Sequence, residues 1–236
     1  MFEGFALLIG VVMMVIIFLN LLACFLGILL IPQKKGYVRE PAIFLLLSGL
    51  VAIYANSSTF VARRGVEALV KYGYLGLLIS FVEITAVTFL FLYARKRYEA
   101  EGLAVVIILP IAWFFLHKIA QAVLVKHGLG LISNQFFYAS YSALSNLAPI
   151  VVMIYIAVIY YRNKDREQMF KSMWIFPMLF AISFFLNSVS NVLAYTPAAM
   201  GTLIIKFVSA VVYPAFGIYL IVNLNGGVQE ITYGEV

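Results

Sequence analysis

The sequence predicts an all-α integral membrane protein, a bundle of seven transmembrane helices. Three observations carry that prediction. Of the 236 residues, 64% are apolar and 11% charged, where a soluble domain has about 45–50% and about 25%. The apolar residues gather into seven runs of spanning length; a hydrocarbon core about 30 Å thick needs roughly 20 residues at about 1.5 Å rise each. The runs are continuous and lack the period-2 alternation of a membrane barrel, and lipid admits only helices or closed barrels.

In chain order the runs are Phe5–Ile31, Pro41–Ala62, Tyr72–Tyr93, Leu103–Val125, Asn134–Tyr161, Met173–Tyr195 and Met200–Asn223. The first is not a cleavable signal peptide: Glu3 stands where a basic flank would be, and the run is too long for a signal core. It holds the lone cysteine, Cys24, so no intrachain disulfide framework exists. The connections are short and leave no room for a soluble domain. Residues 1–225 form one transmembrane domain, and 226–236 a short tail.

Basic residues orient the bundle. The first, third and fifth connections hold ten: Lys34, Lys35, Arg39, Arg95, Lys96, Arg97, Arg162, Lys164, Arg166 and Lys171. The even connections hold four: Arg63, Arg64, Lys71 and Lys126. The larger set lies in the cytoplasm, so the N-terminus is outside and the C-terminus inside, in a multi-pass protein of the cell membrane. The net charge of +6 then reads as contact with anionic lipid headgroups rather than with nucleic acid. A homo-oligomer or a membrane partner is compatible with this composition.

Charged groups at membrane depth cost about 2.5–3.5 kcal/mol on insertion scales and normally turn into the bundle. Glu83 lies midway along the third run, Lys118 follows His117 in the fourth, and Lys206 lies in the outer half of the seventh. An ion pair between Glu83 and Lys206 is the expected partnership, with Lys118 as second choice. Uncharged polar residues share the same half. Asn56, Ser57 and Thr59 end the second run; His117 and Gln121 share one face of the fourth; Tyr138, Tyr141, Ser142, Ser145 and Asn146 lie in the fifth. Ser183, Asn187 and Asn191 form one stripe on the sixth run, and Lys206, Ser209 and Tyr213 another on the seventh. Ala210 and Gly217 permit close helix approach beside that stripe. The inner halves, Phe89–Leu92, Val151–Ile159 and Ile218–Val222, are apolar. The pattern predicts a polar cavity open outward, with Glu83 near its floor and an apolar seal below. Interhelical hydrogen bonding that merely holds the bundle is the competing explanation. Pro149 and Pro214 lie deep enough to kink a gate; Pro110 and Pro177 also fall in or near runs.

No catalytic chemistry is encoded in recognisable form. His117 and His127 are not spaced as ligands on one helical face, and no phosphate loop, HExxH or GxSxG occurs. An enzyme, a metal site and a cofactor are therefore not expected. Runs one to three and five to seven enter with the same orientation, which allows a parallel 3+1+3 repeat; Asn56-Ser57-Ser58-Thr59 parallels Asn187-Ser188-Val189-Ser190, and Ile79–Val82 parallels Ile205–Val208. This layout, with Pro32-Gln33 ending the first run, resembles the SWEET and PQ-loop transporters in plan, although the second half has no Pro-Gln. Lys206 and Glu83 resemble the lysine and counterion of the microbial rhodopsin plan, without its tryptophan beside the carboxylate. The helix count is that of G-protein-coupled receptors, but Tyr213-Pro214 stands where their NPxxY would be. None of these likenesses amounts to membership of a family.

The function expected is binding of a small polar or charged solute for transport or permeation. The residues expected to line its site are Asn56, Glu83, His117, Lys118, Gln121, Tyr141, Asn146, Asn187, Asn191, Lys206 and Tyr213. A sensor or receptor signalling to a separate cytoplasmic partner is the alternative, and a structural subunit of a membrane complex the third.

Overall fold

An apolar run folds as a helix because a helix answers its own backbone N–H and C=O groups. A computed structural model of the chain describes residues 2–32, 38–62, 66–126, 144–165, 171–193 and 199–233. Among them it is all-helical, with no strand. The helices are α1 (Phe2–Leu30), α2 (Arg39–Ala62), α3 (Val66–Tyr98), α4 (Leu103–Lys126), α5 (Leu147–Arg162), α6 (Ile175–Leu193) and α7 (Ala199–Tyr233). A 3-10 turn, Leu144–Asn146, leads into α5.

Stretches in α1, α2, α3 and α7 are long and apolar enough to cross a membrane: Leu7–Leu30, Arg39–Ser57, Leu78–Tyr98 and Ile204–Leu224. The apolar stretches of α4, α5 and α6 are shorter, Leu103–His117, Leu147–Arg162 and Ile175–Leu186. The 16 residues of α5 reach about 24 Å. It begins at Leu147, thirteen positions after the expected Asn134, and residues 127–143 lie outside the described residues. α3 extends the expected run at both ends, and α7 continues to Tyr233 through most of the expected tail.

Side-chain contacts fix the directions. Gly27 lies against Leu46 and Ala42, and Gly49 against Cys24 and Asn20, so α1 and α2 are antiparallel. A Cβ at Gly27 would stand 2.8 Å from Leu46 N and 2.9 Å from Ala42 O; only glycine lets the two backbones approach this closely. At Gly217 of α7 the space a Cβ would fill is taken by leucine side chains of α1 and α2, Leu26 Cδ1 at 2.7 Å and Leu45 Cδ2 at 2.9 Å. Ala210 is buried against Met13 and Ile16. The expected close approach along this stripe is therefore present.

α1 packs on α2 and α7, α2 on α3, α3 on α5, α5 on α6, and α6 on α7, which closes a ring. Among the described residues α4 packs on the α3–α5 side of it and on the 3-10 turn. The interior is apolar and strongly aromatic, with Phe44, Phe91, Tyr160, Phe180 and Phe216 fully buried. The outer faces are apolar too: Leu7, Met14, Phe18 and Phe25 on α1 are each more than half exposed. Water would not tolerate such a face, whereas hydrocarbon would.

Local ties complete the frame. Tyr160 Oη donates to the Leu90 carbonyl at 2.9 Å, joining α5 to α3. Tyr155 Oη donates to the Glu101 carbonyl at 2.8 Å and holds the tight α3–α4 turn. Gly102 in that turn has φ +94°, a left-handed conformation that favours glycine. Lys96 pairs with Glu40 at 3.3 Å, but the lysine is 70% exposed, so the pair adds little. Pro149 and Pro177 each fall in the first turn of their helices, where no intrahelical bond is lost. The gate kink expected of Pro149 is therefore not built there. Pro110 and Pro214 are inside α4 and α7.

Candidate functional site

The polar faces of α1, α2, α6 and α7 meet around a cavity of about 60 Å³. Asn20 reaches it from α1, Ala52 and Asn56 from α2, Ser183 from α6, and Lys206, Ser209 and Tyr213 from α7. Placement follows helical spacing: Lys206, Ser209, Ala210 and Tyr213 recur at three- and four-residue intervals, so one face of α7 turns inward.

The hydrogen bonds decide what the cavity presents. Asn20 Nδ2 donates to the Ile16 carbonyl at 2.8 Å, and Asn56 Nδ2 to the Ala52 carbonyl at 2.7 Å. A carbonyl can be met only by the NH₂ end of an amide, so each asparagine commits a donor to its own helix and keeps its oxygen. Asn20 is fully buried, and its Oδ1 has no hydrogen-bond partner among the described residues. Ser209 Oγ likewise donates to the Ile205 carbonyl at 2.9 Å, retaining its lone pairs. Pro214 has no N–H, which releases the carbonyl of Ala210, itself a lining residue, from its usual helical bond. The polar groups of an otherwise largely apolar wall are thus acceptors.

Against these acceptors stands one cation. Lys206 is half-buried and is the only charged residue lining the cavity among the described residues. It forms no ion pair or hydrogen bond among the described residues.

A smaller hollow of about 10 Å³ adjoins, lined by Phe44, Ser48, Glu83, Ala86, Phe180 and Tyr213 among others. Val51, Phe184 and Tyr213 line both spaces. Glu83 Oε1 is buried without a hydrogen-bond partner among the described residues. The expected Glu83–Lys206 ion pair is not formed, because Tyr213 lies between the two hollows. Of the expected residues, Asn56, Lys206 and Tyr213 line one compartment and Glu83 and Tyr213 the other.

Aromatic rings wall the smaller hollow and continue past it to Phe216 and Phe176. Phe180 packs edge-on to Tyr213 and to Phe44, each at 4.7 Å between centroids. Phe216 lies 4.6 Å from Phe176 and 5.8 Å from Phe44. Such pairs contribute about 0.5–1.5 kcal/mol each beyond burial.

Of the residues singled out from sequence, Asn56, Lys206 and Tyr213 line the larger cavity and Glu83 the smaller hollow. His117 and Asn146 line neither. His117 is on α4, which packs against the α3–α5 side of the ring, and Asn146 spends its amide on Ser188 of α6 at 2.8 Å. Tyr141 and the side chains of Lys118, Gln121, Asn187 and Asn191 lie outside the described residues. Sequence reasoning passed over Asn20. Its signal was present: it is an asparagine alone in the long apolar run of α1. No family model matches the chain, and neither the curated proteins nor the solved structures provide a significant match.

Proposed function

We propose that the chain crosses the cell membrane seven times, with its N-terminus outside. In this reading the α1–α2–α6–α7 cavity binds a small polar or charged solute as a step in transport or permeation. One observation carries the reading: Lys206, half-buried, lines a cavity together with Asn56 and Ser209 and has no ion-pair or hydrogen-bond partner among the described residues. A purely structural polar cluster would pair such a group, since an unpaired buried acceptor costs about 1–3 kcal/mol and an unpaired charge more.

The surrounding fold supports movement of the solute. The aromatic floor of Phe44, Phe180 and Phe216 is an inner seal, and the polar side of the bundle is the outward-facing mouth. Glu83, next to Tyr213, is the proton- or cation-responsive group. The ring order supports a 3+1+3 repeat: α1 meets α7 as α5 meets α3, and α4 sits beside the ring as a linker would.

The test is flux. The purified protein is placed in liposomes, which are shrunk by impermeant sucrose and then given glycine, acetate, urea or methylammonium. Re-swelling with at least one solute, lost in Lys206→Met, is expected. Proteoliposomes that re-swell no faster than empty ones with every solute would remove transport. Binding without flux would leave the sensor alternative.

A further inference from the structure

We infer that the hollow at Glu83 takes a proton and excludes metal cations, so that Glu83 stands as a neutral acid while the hollow is closed. This inference rests on the reading of Glu83 as the proton- or cation-responsive group of the solute path, and it names the ion.

The hollow offers nothing that would hold a carboxylate. Glu83 Oε1 is buried without a hydrogen-bond partner among the described residues. Phenylalanine, valine and alanine side chains form most of the wall, and Ser48 and Tyr213 supply its only hydroxyls among the described residues. Ser48 Oγ donates to the Leu45 carbonyl at 3.2 Å, so its hydrogen is spent within α2. Tyr213 carries the remaining hydroxyl hydrogen and does not donate it to Oε1. An ionised carboxyl has acceptors only, whereas a protonated one brings its own donor. Ser48, with its hydrogen spent and its lone pairs free, suits an acid O–H and repels a carboxylate. Where donors and a counter-ion are both missing, a buried carboxyl gives up its charge.

The helices around Glu83 bring it no counter-charge among the described residues. Along α3 no other ionisable residue occurs between Leu75 and Leu92. α2 and α6 line the hollow without an ionisable side chain. α7 brings Tyr213 there, while its Lys206 lines the neighbouring cavity and forms no ion pair with Glu83. α5, packed on α3, turns Tyr160 to the Leu90 carbonyl and Tyr155 to the Glu101 carbonyl, and Arg162 lies in its last turn. α4 carries His117, which does not line the hollow, and Lys118, whose side chain lies outside the described residues.

Size and ligand count exclude a metal cation. One water needs roughly 10–15 Å³ of such space, so a hollow of about 10 Å³ admits a single water at most. Calcium takes about 6–8 oxygen ligands, and a stripped monovalent cation needs oxygens in place of its hydration shell. Glu83, Ser48 and Tyr213 carry the only side-chain oxygens of the wall among the described residues. Nor do three His, Cys, Asp or Glu side chains gather anywhere among those residues to hold a metal. A proton needs one oxygen and no room. Tyr213 also lines the larger cavity, so displacement of its ring would wet the carboxyl and let the proton leave.

The experiment uses the full chain purified in detergent near neutral pH. The infrared difference spectrum of wild type minus Glu83→Gln should contain the carbonyl stretch of one protonated carboxylic acid and no carboxylate bands. Lys118→Met should keep that acid band. If Glu83→Gln fails to fold, Glu83→Asp takes its place, and the acid band should move rather than vanish. Thermal unfolding is then followed in sodium, potassium, calcium and magnesium chloride at equal ionic strength. None of them should raise the wild-type midpoint above its value in choline chloride.

Carboxylate bands in place of the acid band would overturn the inference in favour of an ionised Glu83, and their replacement by an acid band in Lys118→Met would name Lys118 as its counter-ion. A cation-specific rise in midpoint that Glu83→Gln abolishes would overturn it in favour of a metal site. Liposome flux separates the inference from the reading beneath it. An acid band in a protein that passes none of glycine, acetate, urea and methylammonium keeps the proton site and removes transport. Re-swelling that requires sodium and ignores a proton gradient, with no acid band, keeps transport and removes the proton.

Discussion

Glu83 and Lys206 occupy adjoining hollows with Tyr213 between them, and they form no ion pair with each other. A buried pair that loses one partner is destabilised by about 3–5 kcal/mol, because the remaining charge is stranded. Here neither residue serves the other. Lys206→Met and Glu83→Gln are each expected to unfold at a temperature no lower than the wild type, since each removes an ionisable group that the other does not answer and nearly keeps the volume. Thermal unfolding in detergent checks this. A loss of several kcal/mol in either variant would reinstate the pair.

The α1–α2 contact depends on Gly27. Its missing Cβ faces backbone atoms of α2 at 2.8 and 2.9 Å, whereas nothing lies within 4 Å of the corresponding position at Gly10. Gly27→Ala should therefore force the helices apart at about 1–3 kcal/mol. Gly10→Ala should be neutral or stabilising by up to about 1 kcal/mol, because alanine is the better helix former. Equal unfolding midpoints for the two variants would contradict the close crossing.

The aromatic floor predicts a leak. Phe180 touches both Tyr213 at the cavity and Phe44 below it. Phe180→Leu removes the ring and costs less than the about 3–5 kcal/mol of truncation to alanine. Proteoliposomes carrying it should re-swell faster than wild type and discriminate less among small solutes. Unchanged rates and selectivity would mean that the floor does not limit passage.

The proposed orientation rests on the ten-to-four distribution of basic residues. Single cysteines at Lys35, Arg97 and Lys164 should react with an impermeant thiol reagent only after the membrane is opened. The native Cys24 is buried and should stay silent. Labelling of all three in intact cells would invert the topology and turn the cavity mouth to the cytoplasm.

By itself the sequence determined the helical class and where most helices run, because a 64% apolar chain satisfies its backbone in lipid only by forming helices or a closed barrel. It also determined that Asn56, Ser209 and Tyr213 stand apart from the apolar faces, since helical spacing decides which side chains share a side. Tertiary structure decided the partners. Glu83 and Lys206 are charges of opposite sign in one half of the bundle, and sequence pairs them on cost alone; their separation depends on α2 packing against both α3 and α7. The same holds for His117, whose position outside the cavity follows from α4 packing against the α3–α5 side. Asn20 joins the cavity because Gly27, Gly49 and Gly217 let α1, α2 and α7 approach closely enough to bring its amide among their polar faces. Such approach is a matter of which small residues meet across helices, and that pairing is settled only when the helices pack.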